Sequence, residues 1–185
     1  KRRLDTSLGK DTVPLDHIVA LHELGYLPVR IKSLPEGTRC PIRVPFLTIQ
    51  NTKAEFFWVT NFLETLICNT LWHPMTVATI AFEFRRQLNM YAQLTSDQPE
   101  FVPWQGHDFS MRGQTSLESS CVAGAAHLLS FTGTDTIPAI DWLEEYYEAN
   151  AEQELIGGSV PATEHSVMCL GGSTKTGEYL TYLRL

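Results

Sequence analysis

The chain has 185 residues, 43% hydrophobic and 19% charged, the composition of a folded globular protein rather than a disordered one. Its 14 basic and 21 acidic side chains give a formal charge of −7, which argues against a protein that tracks a nucleic-acid backbone, since phosphate binding needs a clustered positive field. No apolar run reaches the roughly 18 residues of a membrane span, and the length fits one large domain or two small ones. The four cysteines, Cys40, Cys68, Cys121 and Cys169, lie far apart with no CxxC pair, so neither a zinc ribbon nor a disulfide framework is expected. Three of them stand in apolar or small-residue stretches and read as buried thiols, which suits a reducing, cytoplasmic compartment. Lys1-Arg2-Arg3 is too short for a secretory signal. At the other end Tyr182-Leu183-Arg184-Leu185 falls inside an apolar periodic segment without a glycine or proline stop. The sequence reads as a piece of something longer.

Residues 14–25 open on a proline, carry Ile18, Leu21 and Leu24 at helical spacing and end on Gly25, which predicts a short helix. Leu27–Lys32 and Val44–Gln50 alternate apolar and polar residues on either side of the turn-rich Pro35-Glu36-Gly37 and predict two strands. From Glu55 to Trp72 a helical stripe runs through Phe56, Val59, Phe62, Leu63, Leu66, Ile67 and Leu71. His73-Pro74 predicts a break, and a second helix repeats the stripe at Val77, Ile80, Ala81, Phe84, Leu88 and Tyr91.

After Thr95-Ser96-Asp97-Gln98-Pro99 the rhythm changes to short apolar segments alternating with helices. Phe101–Phe109 is a strand candidate. Thr115-x-x-Glu118 reads as a capping box that opens a helix through Leu129, whose Ala123-Gly124-Ala125-Ala126 would let it lie close on a sheet. Phe131–Thr136 predicts a strand and turn. Ile137-Pro138 opens a further helix, packed through Ile140, Leu143 and Tyr147, and Gly157-Gly158 leads into another extended segment. This alternation belongs to a parallel sheet or barrel, so the fold class is α/β. Residues 1–99 are expected to form part of an N-terminal α/β domain with two strands and a helical pair, and residues 100–185 the first units of an incomplete α/β barrel.

Three polar clusters follow the predicted strands, where such folds place ligands: His107–Gly113, Gly133–Thr136 and Ser159–His165. Arginine next to glycine at Arg112-Gly113 suits a phosphate, because the guanidinium donates two charge-assisted bonds, though a surface salt bridge uses the same residue. His107 and Asp108 read more simply as partners of each other or of strand ends, and Phe109 as core. A metal site built from His107, Asp108, Glu164 and His165 lacks helical ligand spacing and is not expected. Gly171–Gly177 resembles a phosphate loop but has Thr174 and Cys169 where the Walker pattern requires glycines, so it reads as a solvated turn.

Six stretches, in order and at matching spacing, resemble the nicotinamide phosphoribosyltransferase family: Leu27–Gly37, Trp58–Thr65, His73–Thr79, His107–Gly113, Gly133–Thr136 and Gly158–Ser166. The resemblance covers nearly all of the chain from Pro14. It implies a type II phosphoribosyltransferase, with a discontinuous α/β domain packed on an α/β barrel and active sites at a homodimer interface. The implied reaction joins nicotinamide to phosphoribosyl pyrophosphate, giving nicotinamide mononucleotide and pyrophosphate, with Mg²⁺ as cofactor and ATP as activating co-substrate. No nucleic acid or membrane partner is expected.

On the matching positions the resemblance implies that Phe109 stacks on the pyridine ring, Arg112 contacts pyrophosphate and amide, and Asp135 accepts a hydrogen bond from the carboxamide. Ser159 and Val160 would line the pocket, and His165 would be the catalytic histidine phosphorylated when ATP is used. Ser110-Met111 stands where animal members have glycine-tyrosine, which points to a bacterial or phage origin. The family's N-terminal aromatic segment and its glycine-rich ribose-phosphate loop are not among these residues, so the chain is expected to be inactive alone. Two alternatives stay open. Nicotinate phosphoribosyltransferase shares the fold, although Asp135 would repel its carboxylate substrate. A non-catalytic binding or assembly module of the same fold is the other.

Overall fold

The computed structural model describes residues 1–169 and Leu183. The Walker-like stretch 171–177 therefore lies outside the described residues. By contacts the chain divides into two compact units, Lys1–Thr76 and Val77–Leu185. The class is mixed α/β, as expected, with two small two-stranded sheets among the described residues, one in each unit.

In the first unit α1 (Arg2–Leu8) and α2 (Asp16–Leu24) precede a hairpin. Gly25 ends α2 at φ 76°, with its N–H bonded to the carbonyls of Leu21 and His22; a left-handed cap of this kind favours a residue without Cβ. β1 (Val29–Ser33) and β2 (Leu47–Asn51) pair antiparallel, with Ile31 opposite Ile49. Asn51 closes the second strand by donating from Nδ2 to the Phe57 carbonyl at 2.8 Å. Phe56 and Val59 are buried beyond it, and Trp58 packs edge-on against both His17 and Phe62.

The predicted helical pair is one helix. α3 runs Val59–Thr95 with Pro74 inside it, and the boundary between the two units falls within it. A proline deletes a single ladder bond, here to the Thr70 carbonyl, and kinks a helix more readily than it stops one when helix-forming sequence continues on both sides. Hydroxyls add bonds on either side of the gap: Thr70 Oγ1 donates to the Leu66 carbonyl at 2.9 Å and Thr76 Oγ1 to that of Trp72 at 2.8 Å. The inward stripe is also narrower than predicted, with Phe62, Leu66, Ile80, Phe84 and Tyr91 exposed. Cys68 lies on an outward face of this helix, and Cys169 is exposed as well, so Cys121 is the one buried thiol of the four and Cys40 is half-buried.

In the second unit the predicted strand Phe101–Phe109 is mostly helical. A 3-10 turn over Pro99–Phe101 leads into α4 (Val102–Gln105), because Pro99 and Pro103 occupy first-turn positions where a missing N–H costs nothing. Only His107–Asp108 (β3) is extended. α5 (Leu117–Leu128) then returns the chain to β4 (Gly133–Thr134), which pairs parallel to β3, His107 opposite Gly133 and Asp108 opposite Thr134. α6 (Pro138–Tyr147) leads on to a parallel bridge between Gly133 and Gly158, and α7 (His165–Cys169) follows. The predicted β/α alternation is present, but with two-residue strands.

Two local readings shift. The cap of α5 is Ser116, not Thr115: Ser116 is extended and its Oγ accepts the Ser119 N–H at 3.1 Å. The small residues of α5 serve a close helix contact as well as the expected sheet contact, since a Cβ on Gly124 would also lie 3.3 Å from Asp108 Oδ2 of β3. A Cβ on Gly124 would sit 2.6 Å from the Cβ of the buried Ala139, in the first turn of α6, and 3.1 Å from Thr136. Tyr147, expected to pack, is exposed, and Ala139 takes its place as the buried residue of α6.

The cap assignment has a measurable consequence. Ser116→Ala should lower unfolding stability by about 1 kcal/mol, whereas Thr115→Ala should stay within about 0.5 kcal/mol of wild type. Urea midpoints of the two variants decide it, and equal losses would restore Thr115 as the cap.

Candidate functional site

Parallel pairing brings the ends of β3, β4 and the segment after Gly158 side by side, because each strand hands its backbone bonds to the next. The Asp135 N–H bonds to the Asp108 carbonyl at 2.9 Å, the Thr134 N–H to the Gly158 carbonyl at 2.8 Å, and the Gly158 N–H to the Thr132 carbonyl at 2.9 Å. His107, Phe109, Asp135 and Ser159, distant in sequence, therefore emerge at one edge. His127 of α5 fastens the strands from behind. Its Nε2 lies 3.2 Å from the Gly106 carbonyl and 3.0 Å from that of Gly133, and two acceptors require that nitrogen to carry the proton.

Asp135 is the centre of the cluster. Its Oδ1 is 2.8 Å from His107 Nε2 and accepts the Ser159 hydroxyl at 2.6 Å, while the side chain remains 47% exposed. The Ser159 bond, then the His107 bond, hold its carboxyl below the usual carboxylate range, with a smaller contribution from the positive charge of Arg112. Oδ2 accepts no hydrogen bond among the described residues. The His107 ring in turn stacks against Phe109 with centroids 4.3 Å apart and planes tilted by 31°.

Asp108, the neighbour of these groups, is buried and structural. Burial pushes its carboxyl up, but the Ser110 side chain and N–H and the Thr136 hydroxyl alongside outweigh that, and the net shift is downward. Oδ1 accepts the Ser110 N–H at 2.8 Å, which fixes the loop carrying Phe109 and Arg112. Asp108 and His107 do not pair with each other.

Of the residues singled out from sequence, the structure thus gathers Phe109, Asp135 and Ser159, with Arg112 exposed on the adjoining 3-10 turn and Val160 exposed beside Ser159. Phe109 is 64% exposed, the opposite of a core residue. His165 opens α7 next to Glu164, and no hydrogen bond or ring contact among the described residues joins it to the cluster. The sequence reading missed His107. No local signal marks it, because its partner Asp135 stands 28 positions away and is reached only across the parallel register of β3 and β4. No group of three His, Cys, Asp or Glu side chains suited to a metal occurs among the described residues.

A cavity of about 460 Å³ lies nearby, lined by α3 residues including Val77, Ala81 and Phe84, and by His107, His127 and Phe131. It is apolar and shares only His107 with the cluster, so the converging polar groups at the strand ends are the better candidate site.

A sequence profile of the nicotinate phosphoribosyltransferase (NAPRTase) family matches residues 104–180, the segment that carries these strand ends. Over its whole length the chain is 53% identical to the nicotinamide phosphoribosyltransferase of Acinetobacter baylyi, of which it covers 36%. It is 41% identical over 149 residues to that of Xanthomonas campestris pv. campestris, spanning 80% of this chain and 31% of the relative. Against that of Mycoplasma genitalium the figures are 36% over 162 residues, 86% and 32%. The resemblance read from the six sequence stretches is borne out, and the chain spans about a third of the length of the curated relatives it matches.

The carboxylates make acid the revealing condition. Asp108 and Asp135 are both held below the ordinary range, so the stability they contribute is present above that range and is lost as pH falls through their depressed values. Deleting the donor with the largest effect, by Ser159→Ala, should move the Asp135 midpoint back up. A carboxyl-carbon NMR titration of wild type and variant reads this directly; an unmoved midpoint would mean that Ser159 does not hold Asp135.

Proposed function

We propose, for a chain similar along its whole length to nicotinamide phosphoribosyltransferases, that it forms part of an enzyme condensing nicotinamide with phosphoribosyl pyrophosphate to give nicotinamide mononucleotide and pyrophosphate. One observation carries this reading: an ionised Asp135 with one oxygen occupied and the other open, beside the exposed ring of Phe109. A flat aromatic base stacks on the phenyl ring, and a carboxamide N–H meets Oδ2. Nicotinate would present a carboxylate to that oxygen and be repelled. The family profile bears the nicotinate name, but the electrostatics of Asp135 favour the amide.

In this reading the ring nitrogen of the base attacks ribose C1′ as pyrophosphate departs, and the protein's contribution is positioning and charge. Phe109 and Asp135 orient the base, which removes most of the entropic barrier to attack. Arg112 receives the leaving pyrophosphate by paired charge-assisted bonds. Ser159 keeps Asp135 in place, Val160 supplies an apolar edge, and His165, exposed at the start of α7, is the acceptor of a phosphoryl group when ATP is used. A Mg²⁺ ion arriving on the substrate would be held mainly by phosphate oxygens and water, a mode that needs no cage of protein carboxylates.

Residues 1–99 then belong to the N-terminal domain and 100–185 begin an α/β barrel. The parallel β3–β4 pair with its α5 crossover, continued by Gly158 after α6, supports the barrel assignment. The complete protein works as a homodimer in the cytoplasm.

The test is turnover by the complete protein that contains this chain; activity on nicotinate but not nicotinamide would overturn the reading. This chain alone is expected to give none. Asp135→Ser in the complete protein should lower nicotinamide kcat/KM by about 10- to 150-fold, the loss of a charge-assisted bond worth about 1.5–3 kcal/mol. It should also let nicotinate turnover appear. Equal losses for both bases would make Asp135 a structural residue of its turn.

A further inference from the structure

His107 lies at the junction of the parts that such a substrate would use. Its ring is nearly buried, with 11% of the side chain exposed. On one side it contacts the Phe109 ring at 4.3 Å. Its Nδ1 faces Gly133 so closely that a Cβ there would be 2.7 Å away, and Nε2 reaches Asp135 Oδ1 at 2.8 Å. A carboxylate oxygen can only accept, so Nε2 carries the proton. With the Ser159 hydroxyl also donating to Oδ1, that oxygen has two donors.

We propose that His107 is a positioning residue that sets the specificity of the site. It pins Oδ1 of Asp135, so that Oδ2 alone is presented to a ligand, and it backs the Phe109 ring so that stacked base and acceptor keep a fixed separation. The ligand class follows: a flat aromatic ring bearing a neutral N–H donor as a substituent, and not an anionic one. His107 acts through Asp135 and Phe109 and touches no reacting atom. The proposal rests on the functional reading above and adds a residue to it.

The His107–Asp135 bond is tested first, without turnover. In NMR spectra of the complete protein, the His107 Nε2–H proton should be shifted downfield and slowed in exchange by its bond to Asp135, and Asp135→Ala should remove both effects; identical spectra would overturn the proposal. The specificity role is then read in the complete protein with His107→Leu and His107→Gln, since the glutamine amide reaches about as far as Nε2 and can donate. His107→Leu should raise KM for nicotinamide about 10-fold, the effect of losing one hydrogen bond to a charged group. It should leave kcat nearly unchanged and reduce discrimination against nicotinate. His107→Gln should recover KM to within about 3-fold of wild type, which a residue needed only for ring packing would not do. Equal impairment of both variants, or an unchanged KM in both, would overturn the role. A wild type that fails to use nicotinamide would sink the functional reading instead, and the NMR result would still decide the His107–Asp135 bond.

Discussion

The absence of a side chain at Gly133 is the constraint on which this site depends. That residue pairs with His107 on one edge and bridges to Gly158 on the other, and a Cβ there would stand only 2.7 Å from His107 Nδ1. Three parallel segments can meet there only if the middle one leaves room above its backbone. Once they meet, the residues just beyond each strand end fall within hydrogen-bond range, and Asp135 gains both its donors. Any larger residue at 133 would force the His107 ring away and break that convergence.

Close approach recurs one layer behind. Gly124 lets α5 lie against Ala139 and Thr136 at the start of α6, and Asp108 is buried between the strand end and that helix pair. A buried carboxylate is costly unless its charge is answered. Here the Ser110 N–H answers it at Oδ1, while Oδ2 is buried without a hydrogen-bond partner among the described residues, and Ser110 belongs to the loop that carries Phe109 and Arg112. The charge therefore ties the core to the exposed loop. His127, bonded to carbonyls of both Gly106 and Gly133 and stacked on Phe131, holds the two strands from the opposite direction. Phe131 also lies under the Arg85 guanidinium, whose bond to the Ser130 carbonyl links α3 to the turn before β4.

The result is a site with a rigid back and an open front. His107, Asp108 and Thr134 are largely inaccessible, whereas Phe109, Arg112 and Val160 face outward. Preorganised acceptors on a fixed scaffold lose little entropy when a ligand arrives. An exposed aromatic ring beside them has a large face still to be covered.

Local patterning determined much of this chain by itself. The α2 helix with its glycine cap, the β1–β2 hairpin and the α5 and α6 helices follow from spacing and capping residues, which act over a few positions. The motifs around Phe109, Arg112, Asp135 and Ser159 were also legible, because they fall just after short segments flanked by helices. What depended on competition between distant parts was decided by tertiary structure. Pro74 was absorbed because ladder bonds on both sides of it outnumber the one it removes. Phe101–Gln105 turned helical because two prolines fit a first helical turn, although its apolar residues suit a strand equally well. Above all, the pairing of His107 with Asp135 spans 28 positions and exists only through the parallel register of β3 and β4. Sequence spacing carries no record of which strand lies beside which, so the residue that orders the site emerges only when the strands are side by side.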